Sequence, residues 1–185
     1  MRVSMVQRAQ AAIAEVLTPG AVAVDATVGN GHDTLFLAEQ VGARGRVYGF
    51  DCQAAAIVST RKRLAQAKML DRVNLIQAGH ETLQSHLAAE ARLLAVMFNL
   101  GYLPGSDKQY ITRAETTLAA LEQACALLAP GGRISLVLYT GHAGGPEEAA
   151  AVQARVAMFG AAWRVVHEPP PVARAPELVL IERRR

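Results

Sequence analysis

Apolar residues follow two alternating rhythms along this chain. Short, nearly continuous runs at Ala21–Ala26, Arg46–Asp51, Val73–Ile76, Leu93–Asn99 and Arg133–Tyr139 read as buried strands. Longer stretches between them carry apolar residues at helical spacing. Asp33–Val41 presents Leu35, Leu37 and Ala38, and Gln53–Ala67 follows the second strand. A modest helix runs from His80 toward Leu87. A long one over Tyr110–Leu128 places Leu118, Leu121, Cys125 and Leu128 on one face, and Pro130-Gly131-Gly132 is expected to stop it. The helix after Pro146 carries Val152, Val156 and Phe159 on one side. An amphipathic helix over Met5–Leu17, closed by Thr18-Pro19-Gly20, precedes all of these. Two further strands, Trp163–Glu168 and Glu177–Arg183, end the chain. This alternation predicts an α/β fold, a doubly wound, mostly parallel sheet of seven strands. The linker between the last two strands is proline-rich and holds no helix, so the last strand is expected to be antiparallel, closing a C-terminal β-hairpin. Residues 1–185 are expected to form one domain, with the N-terminal helix inside residues 1–20.

Composition narrows the class. A chain of 185 residues, 51% hydrophobic but only 5% aromatic, suits one Ala/Val/Leu-rich domain with a sizeable core. No apolar run approaches a membrane span, and Met1–Gln10 lacks a signal-peptide core, so a cytoplasmic protein without a membrane partner is expected. Cys52 and Cys125 show no pairing pattern and are expected to be buried thiols in a reducing compartment. His32, His80, His86, His142 and His167 have no metal-site spacing, so no metal is expected. A net charge of +3 permits a nucleic-acid partner without requiring one. Either a monomer or a homodimer fits these numbers.

The chemistry concentrates where strands end. The segment Val24-Asp25-Ala26-Thr27-Val28-Gly29-Asn30-Gly31-His32-Asp33-Thr34 is a buried strand, a glycine turn and a helix start. Twenty residues after Gly31, the next strand ends in Asp51, where a carboxylate can bind both hydroxyls of a ribose. A dinucleotide site wants a third glycine where Thr34 stands, and a pyrophosphate would be repelled by Asp25 and Asp33. Those carboxylates suit a cationic ligand, and S-adenosylmethionine (SAM) carries a sulfonium and an ammonium group. Asp25, Gly29, Asn30, Gly31, Asp33, Asp51, Gln53, Gly79 and His80 are therefore the expected cofactor residues, His80 at the adenine. Asp25 alternatively braces the glycine turn, and Asp51 and Gln53 alternatively begin a helix.

The fourth strand exits through Phe98-Asn99-Leu100-Gly101-Tyr102-Leu103-Pro104-Gly105, similar to the Asn-Pro-Pro-Tyr type motif of amino-group methyltransferases. There an Asn oxygen and a backbone carbonyl accept hydrogen bonds from an amine and aim its lone pair at the methyl group. Asn99 is accordingly the expected catalytic residue. Leu100, Gly101, Tyr102, Lys108, Tyr139 and His142 are expected around the substrate, a tyrosine stacking on a base and Lys108 meeting a phosphate.

The string from Asp25 to Ala38, together with Phe50-Asp51-Cys52-Gln53, Phe98 through Lys108 and Tyr139-Thr140-Gly141-His142, resembles one family of class I SAM-dependent methyltransferases. Long labelled ribosomal RNA methylases, its characterised members are bacterial tRNA 5-(aminomethyl)-2-thiouridine methyltransferases. The resemblance runs from about Pro19 to the C-terminus. It implies methyl transfer from SAM, leaving S-adenosylhomocysteine (SAH), to the amine of 5-aminomethyl-2-thiouridine at the wobble position of a tRNA anticodon loop. It also implies SAM contacts by Asn30, Asp51, Gln53 and His80, and a substrate pocket shaped by Asn99–Lys108 and Tyr139–His142. Two departures stand out. Val172-Ala173-Arg174-Ala175-Pro176 replaces the Asn and paired prolines usual before the last strand, and Glu81 stands where Asp is usual. The rival readings are a methyltransferase of another RNA or of a small-molecule amine, a dinucleotide-dependent oxidoreductase, and a SAM-binding protein without catalysis.

Overall fold

The computed structural model describes residues 3–88, 90–101, 112–170, 172 and 175–185. Helix α1 (Met5–Ala14) opens with a capping box: the Ser4 hydroxyl accepts from the Gln7 N–H, and the Gln7 side chain accepts from the Ser4 N–H. Ala9 and Ile13 on its inner face are fully buried, so α1 is part of the core. It ends at Ala14, short of Leu17, because the Val16 and Leu17 N–H groups both turn back to the Ile13 carbonyl.

The sheet holds seven strands, β1 (Val22–Asp25), β2 (Arg46–Phe50), β3 (Val73–Ile76), β4 (Leu93–Leu100), β5 (Leu128–Leu138), β6 (Trp163–Glu168) and β7 (Glu177–Arg183). Their order is β3-β2-β1-β4-β5-β7-β6, with β7 antiparallel to both of its neighbours and the others pairing parallel. Helices α2 (His32–Val41), α3 (Ala54–Gln66), α4 (Ala114–Leu127) and α5 (Gly145–Ala157) provide the crossovers, with a short 3₁₀ helix (His80–His86) after β3. This is the expected doubly wound sheet with its closing hairpin. Strand order reverses between β1 and β4, which opens a crevice beyond their carboxyl ends.

The period-2 alternation of strands decides which face each residue meets. Val24, Ala26, Val96, Phe98, Leu100, Leu136 and Leu138 join the apolar cluster under α4 and α5. Ala23, Ala95, Met97 and Val137 join the cluster under α1 and α2. By the same alternation Asp25, Asn99 and Tyr139 project toward the α1 and α2 side.

Several boundaries differ from the sequence expectation. The segment after His80 is a 3₁₀ helix rather than an α-helix. Helix α4 begins at Ala114, Tyr110 lies outside the described residues, and the buried face is Thr117, Ala120, Leu121, Ala124 and Leu127. Leu118 and Cys125 flank that face, half-buried, while Leu128 already belongs to β5. Pro130-Gly131-Gly132 does not stop the helix but lies within β5. Leu128 pairs with Leu93, the ladder then shifts, and pairing resumes at Arg133 with Ala95, with Gly131 at φ +81. Phe159 lies past the end of α5, its ring tilted against Trp163.

Candidate active site

A cavity of about 570 Å³ occupies the crevice at the strand reversal, within the range of small-molecule sites. Its wall takes in Gly29, Asn30 and Asp33 after β1, Asp51 and Gln53 after β2, Gly79 and His80 after β3, Asn99 and Gly101 at the end of β4, and Tyr139 after β5. Ten sequence-predicted residues from five strand ends are thus brought to one space.

The glycine turn is held from two sides. Gly31 caps α2 at φ +77, and a Cβ there would lie 2.5 Å from Thr60 Oγ1, so α3 approaches as closely as it does only because this residue is glycine. The Thr60 hydroxyl donates to the Gly29 carbonyl at 3.1 Å, and Arg63 Nε donates to the Asn30 carbonyl at 2.7 Å. Gly31 itself is outside the cavity wall. Asp51 takes the Gly29 N–H on Oδ2 and the Gln53 N–H on Oδ1, both at 2.9 Å. One carboxylate therefore fixes the glycine turn and the start of α3. Each oxygen keeps a second lone pair, the acceptors that the two hydroxyls of a ribose require.

Asp25 faces inward and is only 1% exposed, behind the cavity wall. It accepts from Thr34 Oγ1 at 2.6 Å and from the Thr27 N–H at 3.1 Å, so in this structure it braces the turn. Thr34, where a dinucleotide site needs glycine, is fully buried in this bond. Burial, reinforced by the charge of Asp33, pushes the Asp25 carboxyl up to about 7 against the two hydrogen bonds. Asp33, 7% exposed but lining the cavity, is also raised by burial, opposed first by the hydrogen bond from Gln10 Nε2 at 2.7 Å.

His80 is a neutral imidazole. Its ring is 7% exposed and packs edge-on to Phe98 at 5.8 Å, and burial lowers its pKa. Nδ1 lies 3.1 Å from the Ala26 carbonyl, which can only accept, so the proton sits on Nδ1. Nε2 is left as a buried acceptor with no protein partner among the described residues, on a side chain that lines the cavity. An exocyclic amine such as that of adenine supplies the missing donor. With the Asp51 diol acceptor, this orphaned atom makes the residues present fit an adenosine group.

At the other end, the Asn99 N–H donates to Thr27 Oγ1 at 2.7 Å. The Asn99 side chain lines the same cavity as Asp33. Tyr139 packs its ring against Gly101, where a Cβ would sit 3.6 Å from Cδ2, and lines the same space. Burial and the charge of Asp33 raise its phenol. Leu100 does not face the cavity. Strand alternation turns its side chain into the core, and its carbonyl accepts the Tyr139 N–H at 3.2 Å. His142 also lies outside the wall, in the turn before α5, with Nδ1 3.0 Å from the Ala143 carbonyl. Tyr102 and Lys108 lie outside the described residues, as do Ala173 and Arg174.

Thr27, Thr112, Arg113 and Thr116 line the cavity without having been singled out from the sequence, beside His32 from the glycine-turn segment. Thr112 and Thr117 hydroxyls donate to the buried Glu148 at 2.7 and 2.6 Å, which ties the start of α4 to α5. The one available signal was the cluster of Thr and Arg at the start of the predicted helix. Cys52 is exposed at the rim, not buried as expected, because it lies past Asp51, beyond the end of β2, at the open crevice. Cys125 is half-buried. Among the described residues no three His, Cys, Asp or Glu side chains are grouped to hold a metal ion, and no helix is long and apolar enough to cross a membrane.

Residues 47–180 match the family model described as "Putative rRNA methylase". The solved structure of the Clostridium thermocellum "putative rRNA-methylase" is 39% identical with a TM-score of 0.94, covering 99% of each chain. A Streptococcus mutans methyltransferase solved in complex with SAH is 33% identical with a TM-score of 0.88, again covering 99% of each chain. A curated Arabidopsis thaliana protein, "tRNA (mnm(5)s(2)U34)-methyltransferase, chloroplastic", is 45% identical over 148 residues, 76% of this chain and 54% of that protein. The chain thus spans about half the length of that curated relative. Its fold and its sequence agree: the chain belongs to the rRNA methylase family of class I SAM-dependent methyltransferases.

Proposed function

We propose that this chain methylates the exocyclic amine of 5-aminomethyl-2-thiouridine at the tRNA wobble position. The observation that carries the reading is Asn99. Its side chain lines the cavity that Asp51 and His80 fit for adenosine, and its backbone N–H is held by Thr27 Oγ1. An Asn side chain carries a carbonyl oxygen, which can accept from an amine N–H. The wobble nucleoside is supported by the name of the Arabidopsis relative.

SAM, when bound, supplies a methyl group on a cationic sulfur. Asp51, His80 and the Gly29–Gly31 turn would hold its ribose, adenine and backbone, and Asp33 would place negative charge near its cationic end. Asn99 would accept one N–H of the amine and so aim the nitrogen lone pair. Positioning of this kind lowers a barrier without any covalent enzyme intermediate. An ammonium has no lone pair, so only the neutral amine reacts. The Tyr139 ring beside Gly101 offers a face on which the thiouridine base could stack. Arg113 at the rim would meet a phosphate of the anticodon loop. A cytoplasmic or organellar location follows from this substrate.

The test is transfer from labelled SAM to tRNA bearing unmethylated 5-aminomethyl-2-thiouridine, with nucleoside mass spectrometry of the product and an rRNA arm run in parallel. The 5-methylaminomethyl nucleoside is the expected product. Tight SAH binding with no tRNA product, or methylation of rRNA alone, would overturn the substrate assignment.

A further inference from the structure

We propose that Thr27, at the exit of β1, is a positioning residue for methyl transfer: its hydroxyl replaces a missing sheet hydrogen bond, and in doing so places Asn99 and frees the Ala26 carbonyl to hold His80. The proposal rests on the amine-transfer reading above for the role of Asn99, and on hydrogen-bond geometry for the rest. Strands β1 and β4 pair in parallel through Asp25 and Met97, and the Ala26 N–H donates to the Met97 carbonyl at 2.9 Å. Continued by one step, that ladder would send the Asn99 N–H to the Ala26 carbonyl. It goes instead to Thr27 Oγ1, at 2.7 Å and across 72 residues of chain. The Ala26 carbonyl faces His80 Nδ1 at 3.1 Å. The Val28 N–H then bonds the Phe50 carbonyl of β2 at 3.0 Å, so the chain has turned from one neighbouring strand to the other.

The exchange follows from the turn. A chain that leaves the sheet for the glycine turn withdraws its backbone from β4, and the Asn99 N–H loses its regular partner. A threonine hydroxyl is an acceptor that a side chain can carry across to it. Thr27 is itself held, its N–H on Asp25 Oδ1 at 3.1 Å. Thr27, Asn99 and His80 all line the cavity. The Ala26 carbonyl is the group that keeps the His80 proton on Nδ1 and leaves Nε2 as the buried acceptor. One hydroxyl therefore serves both ends of the site. It anchors the residue that would accept the amine, and it leaves the adenine-side histidine with a carbonyl of its own. Without that hydroxyl, the acceptor the ladder supplies to Asn99 is the Ala26 carbonyl. Reaching it requires β1 and β4 to close by one ladder step, which moves Asn99 and disturbs the bond to His80. The role is legible only in the fold, since the two bonds join Thr27 and Ala26 to residues far along the chain.

The experiment compares Thr27→Val, which keeps the shape and loses the hydroxyl, with Thr27→Ser, which keeps the hydroxyl. Single-turnover transfer to the aminomethyl tRNA at saturating SAM should fall about 10–100-fold in Thr27→Val, the scale of a misaligned reacting group. Thr27→Ser should restore the rate to within about threefold of wild type, because the interaction made in the transition state is kept. A second readout needs neither substrate nor turnover. In the cofactor-free full chain labelled with ¹⁵N, the His80 ring nitrogens, assigned by their loss in His80→Asn, should show a protonated Nδ1 in wild type and in Thr27→Ser. In Thr27→Val they should show mixed tautomers or a protonated Nε2. A His80 tautomer unchanged in Thr27→Val, or a lost rate that Thr27→Ser does not restore, would overturn the proposal. If wild type makes no methylated tRNA while the tautomer moves in Thr27→Val and not in Thr27→Ser, the link from Thr27 to the site stands and only the substrate reading fails. Thr27→Ala repeats both measurements should Thr27→Val fold poorly.

Discussion

Replacing Asp25 with Asn should stabilise the cofactor-free protein at alkaline pH. The carboxyl is 1% exposed, and its bonds from Thr34 and Thr27 do not offset the loss of water and the repulsion from Asp33. It is therefore pushed from 3.8 to about 7. Between those values the unfolded chain has lost this proton while the folded chain still holds it. The folded state thus binds more protons, and stability falls as pH rises through the window. At about 1.4 kcal/mol per pH unit, the full displacement amounts to roughly 4 kcal/mol lost by pH 8. Asn at this position keeps an oxygen for the Thr27 N–H. Its NH₂ can donate to Thr34 Oγ1, whose hydroxyl rotates to accept. The variant should match wild type near pH 4.5 and exceed it at pH 8, by a few kcal/mol or on the order of 5–10 °C in Tm for a chain of this size.

Urea titrations of the cofactor-free protein at both pH values, followed by circular dichroism, read the difference directly. A variant destabilised equally at pH 4.5 and pH 8 would refute the reasoning, because it would mean that the ionised carboxylate is a net stabiliser. The functional counterpart separates bracing from charge recognition. If Asp25 also stabilises the sulfonium through its charge, Asp25→Asn weakens SAM more than SAH. If it only braces the turn, the two ligands change together. A gain of stability coupled to a loss of SAM affinity would mark the buried charge as retained for function.

The other predictions bear on separate parts of the site. Asp51→Ala removes the acceptor for two backbone N–H groups and the expected ribose contact, so SAH affinity measured by calorimetry should fall by about 100-fold or more; unchanged affinity would remove Asp51 from the cofactor site. Gly31→Ala combines φ +77 with a Cβ 2.5 Å from Thr60 Oγ1, and should cost at least about 1–2 kcal/mol in denaturant titration. The chemical step of transfer should accelerate with pH until the substrate amine is neutral, and a rate flat from about pH 6 to 9 would contradict selection of the neutral amine. Arg113→Ala should weaken tRNA binding and reduce its salt dependence by about one unit of log–log slope, while SAH affinity stays constant.

What could be read from the sequence was the part of the site that is local in the chain. The glycine turn and Asp51 each follow a strand and Asn99 stands at the end of one, and in a doubly wound sheet every such exit points at one crevice, so order alone brought them together. What escaped was whatever depends on orientation within an element. Leu100 neighbours Asn99 in the chain, yet the alternation of β4 sends one into the core and the other to the cavity. Pro130-Gly131-Gly132 carries the composition of a helix stop, but the pairing of Leu128 with Leu93 absorbs it as a strand irregularity. Gln10 is the extreme case, since nothing in its helix distinguishes it from any polar surface residue. Its contact with Asp33 arises because Ala9 and Ile13 seat α1 on the face to which Asn99 and Asp25 also project, with Asp33 at the start of the neighbouring helix. The first helix is thus placed by apolar burial and contributes to the site by a single polar contact. A truncation that removes it would strip Asp33, which lines the cavity, of the Gln10 hydrogen bond, and so reach the site without touching a strand end.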